Sequence, residues 1–197
     1  MAWFPAREKR RNPLIVIVGP TSSGKSDLGV KLARRFHGEI VSADSRQVYK
    51  GLTIGSGKIT KQEMRSIPHH LLDVASPKRA FSVAQYQTLA LKTILDIQKR
   101  GKLPILVGGT PFYVYAVVDG FVFPEVKPNQ SLRKELESLS VEQLFEKLKK
   151  LDPERAKTIE SKNSRRLIRA LEIVMTTGKP IPKLKRRPLP YSVLMLG

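Results

Sequence analysis

Five consecutive apolar residues, Leu14-Ile15-Val16-Ile17-Val18, four of them β-branched, predict a buried strand of a parallel sheet. Leu28, Leu32 and Phe36 then recur every four residues and predict one apolar helix face. His37-Gly38 closes that helix, and Glu39-Ile40-Val41-Ser42 reads as a second short strand. Residues 68–74 read as an edge element. Ser82-Val83-Ala84-Gln85 has capping-box spacing and opens a helix whose apolar residues are Tyr86, Leu91, Ile94 and Leu95, with a stop at Gly101. Leu103-Pro104-Ile105-Leu106-Val107 is a third strand, with its proline near the start, where it is tolerated.

From about Pro128 the pattern changes to short polar helices. Ser140-Val141-Glu142-Gln143 is a second capping box, and Asp152-Pro153 places an N-cap before a proline at the first helical position. Asn163 or Ser164 caps a further helix ending near Gly178. Leu167, Ile168, Leu171, Val174 and Met175 form one face of it, and Arg165, Arg166 and Arg169 lie on the other. Residues 179–190, rich in proline and basic side chains, read as a connector, and residues 191–196 are strand-like. A strand at the last residues suggests that the sheet resumes and that further sequence follows in a relative or a longer form.

Between the first strand and the first helix lies Gly19-Pro20-Thr21-Ser22-Ser23-Gly24-Lys25-Ser26, a match to G-x-x-x-x-G-K-[ST] in the strand–loop–helix setting that phosphate-cradling loops require. Loop N–H groups and the helix dipole favour an anion, Lys25 adds a full charge, and the Ser26 hydroxyl can ligate Mg²⁺. The fold class is therefore α/β, a P-loop NTPase-like three-layer parallel sheet with a helical insertion. Its parts are a basic N-terminal arm (1–12), a P-loop core (13–127), the insertion (128–182), and a connector with a returning core strand (183–197). In the arm, Trp3 and Phe4 either pack onto the domain or belong to a disordered tail. In open parallel sheets the ligand crevice lies outside the carboxyl ends of the strands. Three polar segments reach that rim: 19–26, Asp44 to Gln47, and Gly108-Gly109-Thr110.

Formal net charge is +19 on 197 residues, so a polyanionic partner is favoured, nucleic acid ahead of a membrane. Residues 1–125 carry 19 Lys+Arg against 9 Asp+Glu, and residues 126–197 carry 17 against 8, so the charge belongs to no single tail. Excess lysine that only keeps the protein soluble is the simpler alternative. The absence of cysteine excludes disulfides and thiolate metal sites. No apolar run approaches the roughly 20 residues of a membrane span, and a cytosolic monomer is the expectation.

Most proteins with this loop hydrolyse nucleotides or phosphorylate small molecules. Here the later apolar strand ends in Gly108-Gly109-Thr110 without an acid, while Asp44 follows the second strand. That pattern favours a transferase in which Asp44 works on an acceptor and the metal is held mainly by Ser26 and phosphate oxygens. Asp44 as a helix cap or a residue behind the magnesium, and Thr110 as a turn residue, remain the plainer readings. His69-His70 lacks carboxylate partners at helical spacing and reads as packing or hydrogen bonding.

The chain resembles the tRNA dimethylallyltransferases (tRNA isopentenyltransferases). The matching stretches are 19–26, Ser42-Ala43-Asp44-Ser45-Arg46-Gln47-Val48-Tyr49-Lys50-Gly51, Pro68-His69-His70-Leu71-Leu72-Asp73, Leu106-Val107-Gly108-Gly109-Thr110, and Arg165-Arg166-Leu167-Ile168-Arg169-Ala170-Leu171-Glu172. The resemblance implies Mg²⁺-dependent transfer of a dimethylallyl group from dimethylallyl diphosphate to N6 of an adenosine beside the tRNA anticodon. It gives Asp44 the role of general base and puts Thr110 at the reaction site; with such a donor, loop 19–26 would bind the diphosphate and Lys25 would take up charge as the C–O bond breaks. It implies tRNA contacts from Asp44, Ser45, Arg46, Gln47 and Thr110, and from Arg165, Arg166, Leu167, Ile168 and Arg169, with Arg133 a further match. Departures are Pro111 where relatives commonly have glycine, the unusual Gly55-Ser56-Gly57-Lys58, and the length, since relatives continue for roughly another hundred residues. Lys58 is a candidate to substitute for diphosphate-binding groups of the missing part. A small-molecule kinase using ATP and a non-catalytic RNA-binding remnant are the competing readings.

Overall fold

A computed structural model of the chain describes residues 13–187 and 189–197; the expectations for the N-terminal arm, Trp3 and Phe4 among them, lie outside these residues. Strand β1 (Leu14–Val18) leads through the glycine-bounded loop into α1 (Lys25–Arg35) and then β2 (Gly38–Ser42). After α2 (Lys61–Met64), β3 (His69–His70) and α3 (Val83–Lys99) comes β4 (Leu103–Gly108), followed directly by α4 (Pro111–Val118). Short strands β5 (Phe121–Val122) and β6 (Lys185–Arg186) bracket α5 (Gln130–Glu137), α6 (Val141–Leu151), α7 (Pro153–Thr158) and α8 (Ser164–Thr177). β7 (Val193–Leu196) ends the chain.

The main sheet has the order β3-β2-β4-β1-β7 and every pair is parallel. Later strand β4 wedges between β1 and β2, with Ile105 opposite both Ile15 and Ile40. Side chains alternate faces along each strand. Leu14, Val16, Val41 and Leu106 therefore join Tyr86, Ala90, Ile94, Tyr113, Val114 and Val117 of α3 and α4 on one face. Ile17, Ile40, Ile105 and Val107 meet Val30 and Ala33 of α1 on the other. This makes three layers, the P-loop-like fold expected from the sequence.

Two details correct the periodicity reading. Helix α1 buries Gly29, Val30 and Ala33, whereas Leu28 and Phe36 are 41% and 53% exposed and only Leu32 of the expected stripe packs on the sheet. Small residues let the helix come close: a Cβ on Gly29 would lie 2.9 Å from Val107 Cγ2. Met175 of α8 is likewise 39% exposed, beyond the buried stripe that ends at Val174.

By contacts the chain divides into a sheet unit, 13–121 with Arg186–Gly197, and a helical unit, Val122–Lys185. The helical unit has its own core of Leu136, Leu144, Leu148, Leu167, Leu171 and Val174. Its helices start on side-chain caps: Asn129 for α5, Ser140 with a reciprocal Gln143 for α6, Asp152 for α7 and Asn163 for α8. The chain leaves the sheet unit and returns to it through paired β5 and β6, with the Arg187 N–H donating to Gly120 O at 2.9 Å.

Candidate functional site

The loop after β1 curls tightly before α1 begins. Ser22 (φ 63°) and Gly24 (φ 81°) both adopt left-handed backbone, and Lys25 opens the helix. At Gly24 only glycine adopts that geometry without strain, which fixes one of the two glycines of the motif. A Cβ on Gly19 would meet Ser23 Oγ at 2.9 Å, so the loop folds back on its own start. The Lys25 ammonium bends across it and donates to Pro20 O at 2.7 Å. Pro20, Thr21, Ser22, Ser23 and Ser26 are all exposed, and the first helical N–H groups open on the same side. These are the ingredients of an anion cradle on a helix of eleven residues.

The segment after β4 lies against this loop. A Cβ on Gly109 would sit 3.3 Å from Gly19 O and 3.7 Å from Lys25 Nζ. On its other side, a Cβ on Gly108 would fall 2.1 Å from Ala43 O, so β4 and the end of β2 approach as closely as only glycine allows. Thr110 then ties the two segments. Its N–H donates to Ala43 O (3.2 Å), its Oγ1 accepts from the Ser45 N–H (3.0 Å), and its hydroxyl donates to Ser45 Oγ (3.3 Å). Lys25, Gly109, Thr110, Ala43 and Asp44 thus share one rim of the sheet unit.

Asp44 Oδ1 accepts from the N–H groups of Arg46 (2.8 Å) and Gln47 (3.2 Å), so the carboxylate caps the turn that follows it. Oδ2 is left for other partners. Beneath the turn, Tyr86 and Tyr113 stack with ring centroids 4.0 Å apart, and the Tyr86 hydroxyl donates to Ser42 O at 2.9 Å. Burial first, then the neighbouring tyrosine and the Asp44 charge, hold Tyr86 well above the usual phenol range. Burial, with Tyr49 and Asp44, pushes Tyr113 up to about 12. Both phenols stay neutral beside the carboxylate. Sequence reasoning missed this stack, because tyrosines on an apolar helix face carry no signal beyond packing.

Gln47 Nε2 donates to Gly57 O at 3.0 Å, and Arg46 is exposed. Lys58 differs from the expectation that it stands in at a diphosphate. Its side chain is 6% exposed, and its ammonium donates to Tyr49 O (2.8 Å) and Asp73 Oδ1 (2.6 Å), which staples the 51–58 loop to the Asp44 turn. His70 Nε2 sits 2.7 Å from Glu39 Oε2 and His69 Nδ1 2.8 Å from Ile67 O, which is the hydrogen-bonding part expected of them. Among the described residues, no three His, Cys, Asp or Glu gather as a metal cluster.

In the helical unit the basic residues divide into two sorts. Arg165 is exposed, and Arg166 reaches Glu160 at 3.0 Å on the surface. Arg133 and Arg169 instead converge on Glu172, which is fully buried. Leu167 and Ile168 turn their side chains into the helical core, whereas Arg165 and Arg166 are exposed. Burial opposes ionisation of Glu172, but Arg133, the Asn129 N–H and Arg169 outweigh it and hold the carboxyl at about 2. Sequence reasoning missed the role of Glu172. Its spacing of three residues from Arg169 was the available signal, and the Arg133 partner is too distant in sequence to be read.

A family model described as IPP transferase matches residues 47–197. The chain is 48% identical over 187 residues to a tRNA dimethylallyltransferase of Anoxybacillus flavithermus, covering 93% of this chain and 60% of the relative. It is 46% identical over 195 residues to one of Halalkalibacterium halodurans, covering 95% and 62%. Among solved structures it is similar to a full-length tRNA isopentenylpyrophosphate transferase of Bacillus halodurans (TM-score 0.60, 45% identity, 94% of this chain and 59% of that one). It is also similar to a eukaryotic dimethylallyltransferase acting on tRNA (TM-score 0.74, 32% identity, 93% and 47%). This chain spans about 60% of the length of the curated relatives it matches. With the phosphate loop, the Asp44 turn and the Gly108-Gly109-Thr110 segment assembled on one sheet rim and this likeness along nearly its whole length, the chain belongs to the IPP transferase family.

Proposed function

We propose that this chain modifies tRNA in the cytosol by moving a dimethylallyl group from dimethylallyl diphosphate to the exocyclic N6 of an adenosine beside the anticodon. The observation that carries the reading is the shared rim: a phosphate cradle, an acid with a free carboxylate oxygen and a hydroxyl, joined through Gly108 and Gly109. The loop 19–26 holds the diphosphate, with Lys25 exchanging its Pro20 contact for phosphate oxygens as negative charge grows on the leaving group. The allylic C–O bond breaks and the N6–C bond forms. Asp44 Oδ2 takes the proton that N6 sheds, and diphosphate departs. Thr110 holds the Asp44 turn at the rim and orients the acceptor. Ser45, Arg46 and Gln47 line the same turn and suit contact with an extruded base.

Mg²⁺ fits the donor set. Ser26 Oγ, exposed in the first turn of α1, would hold the ion together with phosphate oxygens of the substrate. When bound, the ion neutralises charge on the leaving diphosphate. Arg165, Arg166, Arg169 and Arg133 supply positive surface for tRNA phosphates, consistent with net charge +19.

The test incubates unmodified tRNA with this chain, Mg²⁺ and dimethylallyl diphosphate, followed by mass spectrometry of the tRNA. A gain of one dimethylallyl group at the adenosine is expected. Binding of tRNA without any gain would reduce the chain to an RNA-binding remnant. Stabilisation by ATP alone, with phosphate transfer to a small acceptor, would replace the reading by a kinase.

A further inference from the structure

Glu172 is one of four buried polar or charged residues in the described chain, and it is fully buried. All four lone-pair positions of its carboxylate are used. Oε1 accepts from the Asn129 N–H (2.7 Å) and Arg133 Nε (2.8 Å); Oε2 accepts from Arg133 Nη2 (2.8 Å) and Arg169 Nη1. Arg169 is fixed on a second side, since its Nη2 donates to Val126 O at 2.9 Å. The two arginine side chains are nevertheless 29% and 37% exposed. Each head spends two of its five N–H donors on these contacts, which leaves donors for a further ligand. One turn earlier on α8 stands exposed Arg165.

A buried carboxylate is a poor device for stability alone, because an apolar side chain of similar volume serves packing as well. What it provides is direction. Arginine heads lose rotamer freedom when they engage a ligand, and heads already fixed lose less. We infer that Glu172 is a positioning residue for RNA: without touching it, Glu172 presets Arg133 and Arg169 as a rigid pair of phosphate-gripping forks. This inference rests on reading the chain as a tRNA-modifying protein.

The test exploits a difference in sign. Glu172→Gln keeps the shape and raises the net charge by one, so simple attraction to a polyanion predicts tighter binding. Preset arginines predict the reverse, about tenfold weaker binding of unmodified tRNA to the full chain, read by fluorescence anisotropy across a salt series. Arg133→Lys provides the second arm. It keeps the charge but loses the fork, and is expected to weaken binding with a salt slope shallower by about one. It also decides the matter if Glu172→Gln does not melt cooperatively. Wild-type affinity and slope in both folded variants, or tighter binding in either, would overturn the inference and leave the proposed function standing. Failure of the unaltered chain to bind tRNA at all would remove both.

Discussion

At the scale of single residues, Asp44 carries two tasks on separate oxygens. Oδ1 caps the turn, and Oδ2 is the proposed proton acceptor. Asp44→Asn preserves an oxygen for the cap, so folding stability is expected to change by less than about 0.5 kcal/mol. The single-turnover rate is expected to fall by about 10²–10⁴. Full rate in the variant would return Asp44 to the plainer capping role. Gly108 is the second sensitive position. Its missing Cβ leaves room for Ala43 O, a backbone atom that cannot swing aside. Gly108→Ala is expected to cost about 2–3 kcal/mol in chemical denaturation and to lower activity, because Gly109 and Thr110 follow directly. Much of this rim was legible from sequence, since a polar segment after each buried strand falls at the same edge. The division of labour within Asp44, the Lys58 staple and the tyrosine stack were not legible. The staple and the stack depend on contacts between segments distant in sequence, Lys58 with Asp73 and Tyr86 with Ser42, whereas the Asp44 cap is local and only its split between two oxygens needs coordinates.

At the scale of elements, the caps are the most readable features, because their chemistry spans only four residues. Ser82 and Ser140 make the reciprocal bonds with Gln85 and Gln143 that their spacing announces. Ser140→Ala is expected to lower the stability of the helical unit by about 1 kcal/mol, measured by circular dichroism in urea, with the cradle unaffected. Helix faces were read less well. Counting large apolar residues favoured Leu28 and Phe36, but α1 meets the sheet through Gly29 and Ala33, whose smallness is what permits the approach. Strand order was hidden for a different reason. Nothing local in Leu103–Gly108 says that it wedges between two earlier strands and does not extend the sheet.

For the whole molecule, two buried carboxylates set the acid limit of stability. Arg100 is the larger influence on Glu39; together with His70 it outweighs burial and brings that carboxyl to about 2, and Glu172 also sits at about 2, both against an ordinary 4.5. Below the ordinary value the unfolded chain takes up protons that the folded chain refuses. Stability contributed by both groups is therefore complete above about pH 4.5 and declines as pH falls towards 2. Self-repulsion of a chain already at +19 near neutrality adds to the decline. Urea titrations from pH 6 downward are expected to show midpoints falling across that window, and Glu39→Gln is expected to flatten part of the fall. A flat profile in the wild type would contradict the ion-pair geometry.

The paired exit and return strands bear on chain statistics. Because the backbone leaves the sheet unit at Phe121 and re-enters at Arg186, melting of the helices leaves a tethered loop of about sixty residues, closed at its base by the Gly120–Arg187 hydrogen bond. Closure entropy rises only logarithmically with length, so holding such a loop costs about 2–3 kcal/mol more than holding a four-residue turn. Calorimetry is thus expected to resolve helical melting from sheet melting, and a short-turn replacement of 122–185 to leave a folded sheet unit. In polymer terms the helical unit is a graft, and the sheet is expected to survive its melting at a bounded entropic cost.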